Sequence, residues 1–236
     1  KGNITSFYRD SEGELWIGSW EEGLFHVKTD GKIENFRYDA KNPHSLSSNF
    51  VRACCEDNLG NIWIGTFNGL NRYNKSTGLF QNHTANDIQT DGLTHSSIWC
   101  IVKDNQGTLW LGTYFGGVNY FNPEYEIYTR YSYSSNEKKG LSNPVVGRTI
   151  EDKNGNLWIG TEGGGLNYYN RRTREFKWYR PQEGRNSISH NNVKALYYDA
   201  DKEIIWIGTH LGGLNKLDIR SGHFTCLLYT SDAADD

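Results

Sequence analysis

Recurring aspartates are the first residues in this sequence whose type and spacing could do chemistry. Asp10, Asp57, Asp104 and Asp152 each stand six residues before a tryptophan. Carboxylates can hold a metal ion or act as general acid and base. Each one, however, opens an Asp-x-x-Gly segment, and an aspartate at the head of a turn accepts hydrogen bonds from the backbone that follows. Because symmetric copies cannot converge on one site, we expect these aspartates to stabilise turns.

Three further groups of residues could carry chemistry, and we expect none of them to do so. The glycine clusters at 116–117, 163–165 and 212–213 lie between two strands, whereas a phosphate loop joins a strand to a helix. The 7 histidines show no ligand spacing, and no nucleophile, histidine and acid can be grouped. Cys54, Cys55 and Cys100 lack the spacing of a zinc site and are interpreted as small buried apolar residues. The sequence therefore predicts no catalytic residue, no metal and no cofactor.

A repeat organises the chain, and its fixed points are a tryptophan and a glycine. Leu15-Trp16-Ile17-Gly18 recurs four times, with the tryptophans 47 or 48 residues apart. The later copies hold Trp63 and Gly65, Trp110 and Gly112, Trp158 and Gly160, and Trp206 and Gly208. The fifth copy departs from the pattern, since Asp199 stands seven residues before Trp206 and Lys202 lies near the place of the glycine. We expect a looser hairpin there.

Each repeat predicts four strands. The first alternates apolar residues, as in Val51, Ala53 and Cys55, with Cys54 on the other side, which suits a sheet covered on both faces. The second is the Trp-Ile-Gly strand, and two glycine turns lead to a third and an outer strand. Four strands in 40 to 50 residues are typical of a propeller blade. The fold class is thus all-β, a propeller of four-stranded antiparallel blades with tryptophan as the wedge between them. By the usual range for core truncation, Trp110→Ala should cost about 3–5 kcal/mol.

The blade boundaries follow from the repeat, and the last residues fall outside it. The five blades are predicted at about 1–39, 49–84, 96–132, 144–180 and 191–225. Residues 226–236 match no repeat and are interpreted as a non-native tail from sequencing-adaptor read-through. Without the tail's three aspartates, the formal charge of −3 becomes zero. A near-neutral chain argues against nucleic acid as a partner.

Positions at which the repeats disagree are the better candidates for binding. The turn between the second and third strands carries a different residue in each blade, and specificity is built where a constant scaffold varies. Aromatic side chains there could stack on sugar rings, and polar ones could hydrogen-bond. The alternative is that they only pack on the adjacent turn. The ligand-binding candidates are Trp20, Phe67, Tyr114, Phe115, Glu162 and His210.

The segment from Asp152 to Tyr168 shows the repeat most completely. Its sequence is Asp-Lys-Asn-Gly-Asn-Leu-Trp-Ile-Gly-Thr-Glu-Gly-Gly-Gly-Leu-Asn-Tyr, and it resembles the two-component regulator propeller repeat. The resemblance covers residues from about 4 to 225. It implies the periplasmic sensor region of a hybrid two-component histidine kinase, which starts a phosphorelay and regulates polysaccharide-utilisation genes in response to oligosaccharides. It also implies a ring of seven blades, of which five are present. Expected partners are an oligosaccharide or other small ligand, the remaining blades and kinase portion of the same polypeptide, and a second copy in a homodimer.

Two other functions stay open. Propeller enzymes act on carbohydrates as lyases or glycosidases, but sialidase Asp-boxes place the aspartate two residues before glycine, and here the gap is three. A protein-interaction scaffold of the WD40 kind would show a Gly-His and Trp-Asp signature, which is missing. We expect a sensor and not an enzyme.

Overall fold

The described residues form five four-stranded antiparallel sheets, each with its strands in sequence order. The computed structural model describes residues 3–85, 92–123 and 127–227. Blade one holds β1 (Ile4–Arg9), β2 (Leu15–Ser19), β3 (Leu24–Val27) and β4 (Ile33–Phe36). Blade two holds β5 (Val51–Glu56), β6 (Ile62–Thr66), β7 (Gly69–Asn74) and β8 (Leu79–His83). Blade three holds β9 (Ile98–Lys103), β10 (Leu109–Thr113), β11 (Val118–Asn122) and β12 (Ile127–Tyr131).

The last two blades form a second compact unit. Blades one to three lie in the unit Lys1–Tyr131, and blades four and five lie in the unit Ser132–Asp236. Blade four holds β13 (Val146–Glu151), β14 (Leu157–Thr161), β15 (Gly165–Asn170) and β16 (Glu175–Tyr179). Blade five holds β17 (Val193–Asp199), β18 (Ile204–Thr209), β19 (Leu214–Asp218) and β20 (Phe224–Leu227). A short 3-10 helix at Glu137–Lys139, which the sequence did not predict, precedes blade four.

The tryptophan of one blade packs against the next blade, as the sequence predicted. Trp16 is fully buried in a cluster with Val51, Ile62 and Ile64 of blade two. Trp63 is fully buried against Ile98 and Leu111 of blade three, and its ring meets that of Phe121 edge-on at 5.0 Å. In the second unit, Trp158 packs with Val193, Ile205 and Ile207 of blade five.

The glycine two residues after the tryptophan lets the next blade come close. A Cβ at Gly65 would lie 2.8 Å from Cγ2 of Ile98, and one at Gly160 would lie 2.5 Å from Cγ1 of Val193. Real Cβ atoms do not approach other carbons so closely, so only glycine fits at these two places. The Trp-Ile-Gly motif therefore builds the contact between blades.

The recurring aspartates hold both the turn and the tryptophan. Asp57 Oδ1 accepts hydrogen bonds from the backbone N–H groups of Leu59 and Asn61, both at 2.9 Å. Its Oδ2 accepts the indole N–H of Trp63 at 2.7 Å. The pairs Trp16–Asp10, Trp110–Asp104 and Trp158–Asp152 repeat this bond at 2.9, 2.7 and 3.1 Å. These carboxylates are structural, because their oxygens are occupied by hydrogen bonds from the protein.

Blade five departs from this arrangement, as its spacing predicted. Asp199 belongs to the strand and pairs with Ile204 across the hairpin. Its carboxylate accepts from the backbone N–H and Nζ of Lys202. The left-handed position expected near Lys202 falls on Glu203, whose φ is +54°. The inserted residue lengthens the hairpin. The Asp199 carboxylate therefore bonds to Lys202 of the turn, whereas the corresponding aspartates of the other blades also bond to a tryptophan indole.

In blades two to five, a buried asparagine ties the third strand to the connection that precedes the blade. Asn71, Asn119, Asn167 and Asn215 are fully buried. In blade four, Asn167 Oδ1 accepts the backbone N–H of Ser142 at 2.8 Å, and its Nδ2 donates to the Ser142 hydroxyl at 2.8 Å. The connections also bury one apolar side chain each, namely Leu46, Leu93, Leu141 and Ile188.

A buried ion cluster joins blades one and two and makes their packing sensitive to acid. Lys75 Nζ lies 2.9 Å from Asp10 Oδ2 and 3.0 Å from Glu56 Oε1. Burial raises the pKa of the Asp10 carboxyl, but hydrogen bonds from Trp16 and Lys75 outweigh it and hold that pKa below its usual value. A lowered folded-state pKa stabilises the protein above the unfolded-state value, and this stability is lost as the pH falls through the folded-state value.

We expect Lys75→Met to lower the free energy of unfolding by about 2 kcal/mol near neutral pH, because hydrogen bonds to charged groups are removed. The difference in unfolding free energy from the wild type should be smaller at about pH 3 than at about pH 6, because the stability that a lowered Asp10 pKa provides begins to be lost only below the unfolded-state pKa of aspartate, about 4. Urea unfolding at both pH values measures this. A difference that stays constant across the range would contradict the assigned coupling.

The strands of the five sheets span residues 4–36, 51–83, 98–131, 146–179 and 193–227. Strand β20 includes Cys226 and Leu227, which pair with Asn215 and Leu214 although the sequence assigned them to the tail. The rest of the predicted tail, 228–236, lies outside the described residues. No helix in the described ranges is long and apolar enough to cross a membrane.

Candidate functional site

The variable turn residues occupy equivalent places in their blades. In each blade the backbone N–H of the first variable residue donates to a carbonyl just before or at the start of the first strand. The bonds are Trp20 to Asn3 at 2.9 Å, Phe67 to Phe50 at 3.0 Å, Tyr114 to Ser97 at 3.1 Å, Glu162 to Val145 at 3.0 Å and His210 to Asn192 at 2.9 Å. The variable turn thus lies beside the connection that leads into the same blade. We call this side of each blade the turn face.

Four of the six predicted residues come together in the first unit. Aromatic rings from three successive blades form a contiguous surface on the turn face, with one arginine among them. We call this surface the aromatic platform, and its members are Trp20, Phe50, Arg52, Phe67, Trp99, Tyr114 and Phe115.

At the centre of the platform, the guanidinium group of Arg52 lies close to two indole rings. The Arg52 guanidinium carbon lies 4.7 Å from the ring centroid of Trp20 and 4.2 Å from that of Trp99. Beyond Trp99, the ring of Tyr114 stacks at 5.1 Å with an interplanar angle of 12°. Cations attract the negative faces of aromatic rings, so Arg52 stabilises the positions of Trp20 and Trp99 beside it.

Edge contacts extend the platform on both sides. Phe50 meets Trp20 edge-on at 5.5 Å and contacts Phe67 at 6.2 Å. Phe115 meets Tyr114 edge-on at 4.4 Å. Phe67 is 54% exposed and Phe115 is 57% exposed, so large apolar rings face solvent at the two ends. The platform combines packed side chains at its centre with accessible rings at its edges.

Two central residues of the platform, Arg52 and Trp99, were not predicted from the sequence. Each of them lies in a β-bulge. In blade two, Val51 pairs with Thr66 and Ala53 pairs with Gly65, so Arg52 falls in the register shift. Trp99 falls in the same shift in blade three. A bulged residue leaves the alternation of the strand and its side chain is re-aimed. The position carries Thr5, Arg52, Trp99, Gly147 and Lys194 in the five blades, and this variation was the available signal.

The other two predicted residues lie in the second unit and are polar. Glu162 forms a bridge with Asn192 and an ion pair with the bulge residue Lys194. His210 is exposed, and its backbone N–H bonds to the carbonyl of the same Asn192. Glu162, Lys194 and His210 therefore share the turn face of blades four and five, with both signs of charge available there.

One cluster in the described residues has the composition of a metal site. Single ligand atoms of Asp10, Glu14 and His26 lie within 4.8 Å of one another, and no ion is present. His26 Nε2 is 2.7 Å from Glu14 Oε2, and the ring stacks on Trp16 at 3.8 Å. Lys75 already lies against the Asp10 carboxylate, and a cation there would have to displace it. The cluster is therefore explained as hydrogen bonding within blade one.

Three of the four cysteines lie in the interior. Cys54, Cys55 and Cys100 are buried thiols that are not in disulfides. Burial raises the pKa of the Cys54 thiol to about 12 and that of Cys55 to about 11. A thiol reacts as its thiolate, so these two residues are poor nucleophiles at neutral pH. They pack as small apolar residues, as the sequence predicted.

The larger described cavity lies away from the platform. Its volume is about 400 Å³, and it is shallow, along the outer strand of blade two. Its lining includes His44, Arg72 and Gln81, and none of the predicted site residues contributes to it.

Comparison with known proteins gives the class of the chain and then its family. The five four-stranded blades and the repeated turn-and-tryptophan motif are those of a β-propeller. Five segments, 1–21, 45–68, 92–115, 140–163 and 187–210, match the family model described as "Two component regulator propeller". The chain belongs to this family. A search of curated proteins found no match.

Solved structures similar to this chain include extracellular domains of hybrid two component systems from B. thetaiotaomicron. That of BT3049 has a TM-score of 0.80 at 26% identity, covering 94% of this chain and 29% of the other. That of BT4673 has a TM-score of 0.78 at 25% identity, covering 98% of this chain and 32% of the other. The chain therefore spans about a third or less of these relatives.

Virginiamycin B lyase from Staphylococcus aureus is similar in fold alone. The TM-score is 0.70 at 13% identity, covering 98% of this chain and 72% of the lyase. A likeness at this level of identity carries no information on catalysis. The relatives at 25–26% identity are extracellular domains of putative hybrid two component systems.

Proposed function

We propose that this chain is part of the periplasmic ligand-sensing region of a hybrid two-component sensor kinase, and that the aromatic platform contacts the ligand. The family supports the receptor class, and the similarity to extracellular domains supports the location. The single observation that carries the site is the platform itself. Variable residues of three successive blades build one continuous surface there, on a scaffold whose other residues repeat.

An oligosaccharide is the ligand that fits this surface best. Sugar rings present flat C–H faces, which pack on aromatic rings, and hydroxyl groups, which need nearby donors and acceptors. Trp20, Phe67 and Phe115 are 38%, 54% and 57% exposed and offer rings at separated points. An extended ligand could therefore contact several blades at once. Regulation of polysaccharide-utilisation genes would be the output of the whole receptor.

Further blades of the same polypeptide are proposed to complete the ring, since each terminal blade exposes apolar side chains. In blade one, Phe7 is 70% exposed, whereas its counterpart Cys54 in blade two is buried. In blade five, Tyr197 is 65% and Leu214 is 40% exposed, whereas Leu70 at the position of Leu214 is buried. Hydrogen exchange at these strands in a longer piece of the parent protein, with protection as the expected result, tests the proposal. The homodimer stays a proposal for the full-length receptor.

Binding without turnover is the expected behaviour of the chain. Calorimetry against plant and host oligosaccharides should detect a ligand, and the same mixtures should show no new products after incubation. New products would favour a carbohydrate-active propeller enzyme, and binding only to proteins would favour an interaction scaffold.

We expect Trp20→Ala and Phe115→Ala each to weaken ligand affinity about tenfold, because each removes one stacking ring worth about 1 kcal/mol or slightly more. Calorimetry measures the affinity and thermal unfolding measures the fold. The matched control is Trp178→Ala, which removes a tryptophan that also stacks on an arginine, Arg180 at 4.5 Å, on the outer strand of blade four. If the platform variants lose stability and leave affinity unchanged, these rings only pack on their neighbours.

A further inference from the structure

Leu211, in the variable turn of blade five, combines an unfavourable backbone conformation with an unfavourable exposure. Its φ is +64°, in the left-handed region that residues with a bulky side chain rarely adopt. The residue is also 87% exposed, so its apolar side chain gains almost nothing from burial in the blade. Residues held in such conformations concentrate at functional sites. The folding of the blade explains neither property.

The corresponding turn of blade four shows that the fold does not need a leucine at this place. Gly163 occupies the same position there with a φ of +98°, which glycine adopts without strain. Two other non-glycine residues in the described ranges have a positive φ, and they are the charged residues Arg174 and Glu203. Of the three, Leu211 alone is apolar, so covering it with another molecule is favourable in itself.

Three hydrogen bonds hold the turn that carries Leu211. The backbone N–H of Thr209 donates to the carbonyl of Gly213 at 3.1 Å, and the Thr209 hydroxyl donates to the same carbonyl at 3.0 Å. The hydroxyl of Ser189 donates to the carbonyl of Gly212 at 2.6 Å. A turn that is fixed in this way loses little conformational entropy when a ligand binds.

Polar groups lie beside this leucine on the turn face of blades four and five. His210 precedes it and is exposed, and the His210 backbone N–H donates to the carbonyl of Asn192 at 2.9 Å. Asn192 also forms a bridge with Glu162, whose carboxylate pairs with Lys194. Sugars combine apolar C–H faces with hydroxyl groups that need donors and acceptors. An aliphatic side chain beside an imidazole and an ion pair meets both requirements.

Resting on the proposed function, we propose that the variable turn of blade five, residues 209–213, is a saccharide-binding surface of the second unit. Leu211 packs on the apolar face of a sugar, and His210 and the Glu162–Lys194 pair bond to its hydroxyl groups. The alternative is that Leu211 is an exposed residue without a role, which the fold tolerates. The two explanations differ in whether removal of its side chain changes stability alone or also affinity.

The test replaces Leu211 by glycine and measures stability and affinity in the same full chain. Hexasaccharides from xylan, arabinan, mannan and galactan are titrated by calorimetry. Leu211→Gly should raise the melting temperature by about 2 °C, because the strain of a left-handed leucine is removed. It should also weaken binding of at least one hexasaccharide about tenfold, since covering a leucine side chain is worth such a factor. Leu211→Met, which keeps an unbranched apolar side chain, should retain the affinity.

The matched control is Arg174→Gly, in the outer hairpin of blade four. Arg174 has a φ of +58°, and its backbone N–H donates to the carbonyl of Asn170 at 2.8 Å. Gly78 makes the equivalent bond to Asn74 in blade two, also at 2.8 Å and with a φ of +70°. Arg174→Gly should therefore raise the melting temperature as well, but every affinity should stay that of the wild type.

NMR separates this proposal from the proposed function, with the Leu211 methyl signals reporting on blade five and the Trp20 indole N–H signal reporting on the aromatic platform. A hexasaccharide that shifts the Leu211 signals supports the blade-five surface. Shifts at Trp20 without any at Leu211, or unchanged affinity in Leu211→Gly, overturn the blade-five surface and leave the sensor function standing. Loss of both affinity and stability in Leu211→Gly means a structural role and also overturns it. If neither signal responds to any hexasaccharide, both proposals are wrong.

Discussion

Trp63→Ala should lower the free energy of unfolding by about 3–5 kcal/mol, the range for truncating a large buried aromatic residue. Trp63 has no exposed surface, and it lies between blades two and three against Ile98, Leu111 and Phe121. Its truncation removes the contact between two blades and also leaves the Asp57 carboxylate without its indole donor. Denaturant unfolding followed by circular dichroism measures the loss.

The control for this variant is Phe115→Ala, which truncates an aromatic ring that is 57% exposed. An exposed ring loses little contact area on truncation, so its free energy of unfolding should change by about 0.5 kcal/mol or less. Equal effects of the two substitutions would show that the wedge tryptophan does not hold the blades together.

Asp57→Asn should cost about 3 kcal/mol, although the two side chains have nearly the same shape. The amide oxygen can still accept from the backbone N–H groups of Leu59 and Asn61, but the NH₂ group then faces the indole N–H of Trp63. A buried donor without an acceptor costs about 1–3 kcal/mol, and the loss of a charge-assisted bond adds to it. Unfolding in urea measures the total, and a double-mutant cycle with Trp63→Phe isolates the bond between the two side chains.

Blade five supplies the matched control for this substitution. Asp199→Asn changes the corresponding residue, which bonds to Lys202 and lies at the surface. We expect a much smaller change in unfolding free energy than for Asp57→Asn. A comparable loss at both positions would mean that the effect comes from the turn and not from the indole bond.

The scaffold could be predicted from the sequence because its causes are local and repeated. The strand Ile62–Thr66 contains the Trp-Ile-Gly segment that was predicted as the second strand of its blade. Apolar residues on both sides of β5, such as Ala53 and Cys54, correctly indicated a sheet covered on two faces. The aspartate turn was predicted from spacing alone. The indole N–H of Trp63 donates a hydrogen bond to the second oxygen of Asp57. This bond depends on how the two side chains pack in the folded blade, so the spacing alone did not predict it.

The site was predicted only in part, since it depends on register and on contacts between blades. Alternation along β5 placed Arg52 on an ordinary strand position, and the bulge that re-aims it depends on its pairing with β6. Trp20, Arg52 and Trp99 lie in three different blades, so no spacing within one repeat brings them together. An asparagine recurs in four repeats at the position of Asn71, and this is visible in the sequence. Its role depends on the connection that it contacts, which in this blade is at Ser47.

The structure separates two sets of residues that the repeat places side by side. Asp57, Trp63 and Gly65 recur and are buried between blades, whereas Phe67 follows them directly and varies. A protein built in this way can change its ligand by substitution in turns and bulges without loss of the blades. Substitutions in the turns and bulges should therefore change ligand affinity, and substitutions of the residues buried between blades should change stability.

Hydrogen–deuterium exchange in the presence of a bound oligosaccharide tests the central claim most directly. A ligand on the aromatic platform should slow exchange at the backbone amides of residues 20–23, 50–52, 67–69, 97–99 and 114–117. The Asp-x-x-Gly turns of the same blades should be unchanged. Protection confined to those aspartate turns or to the outer strands, with no effect on the platform segments, would contradict the assignment of the turn face as the sensing surface.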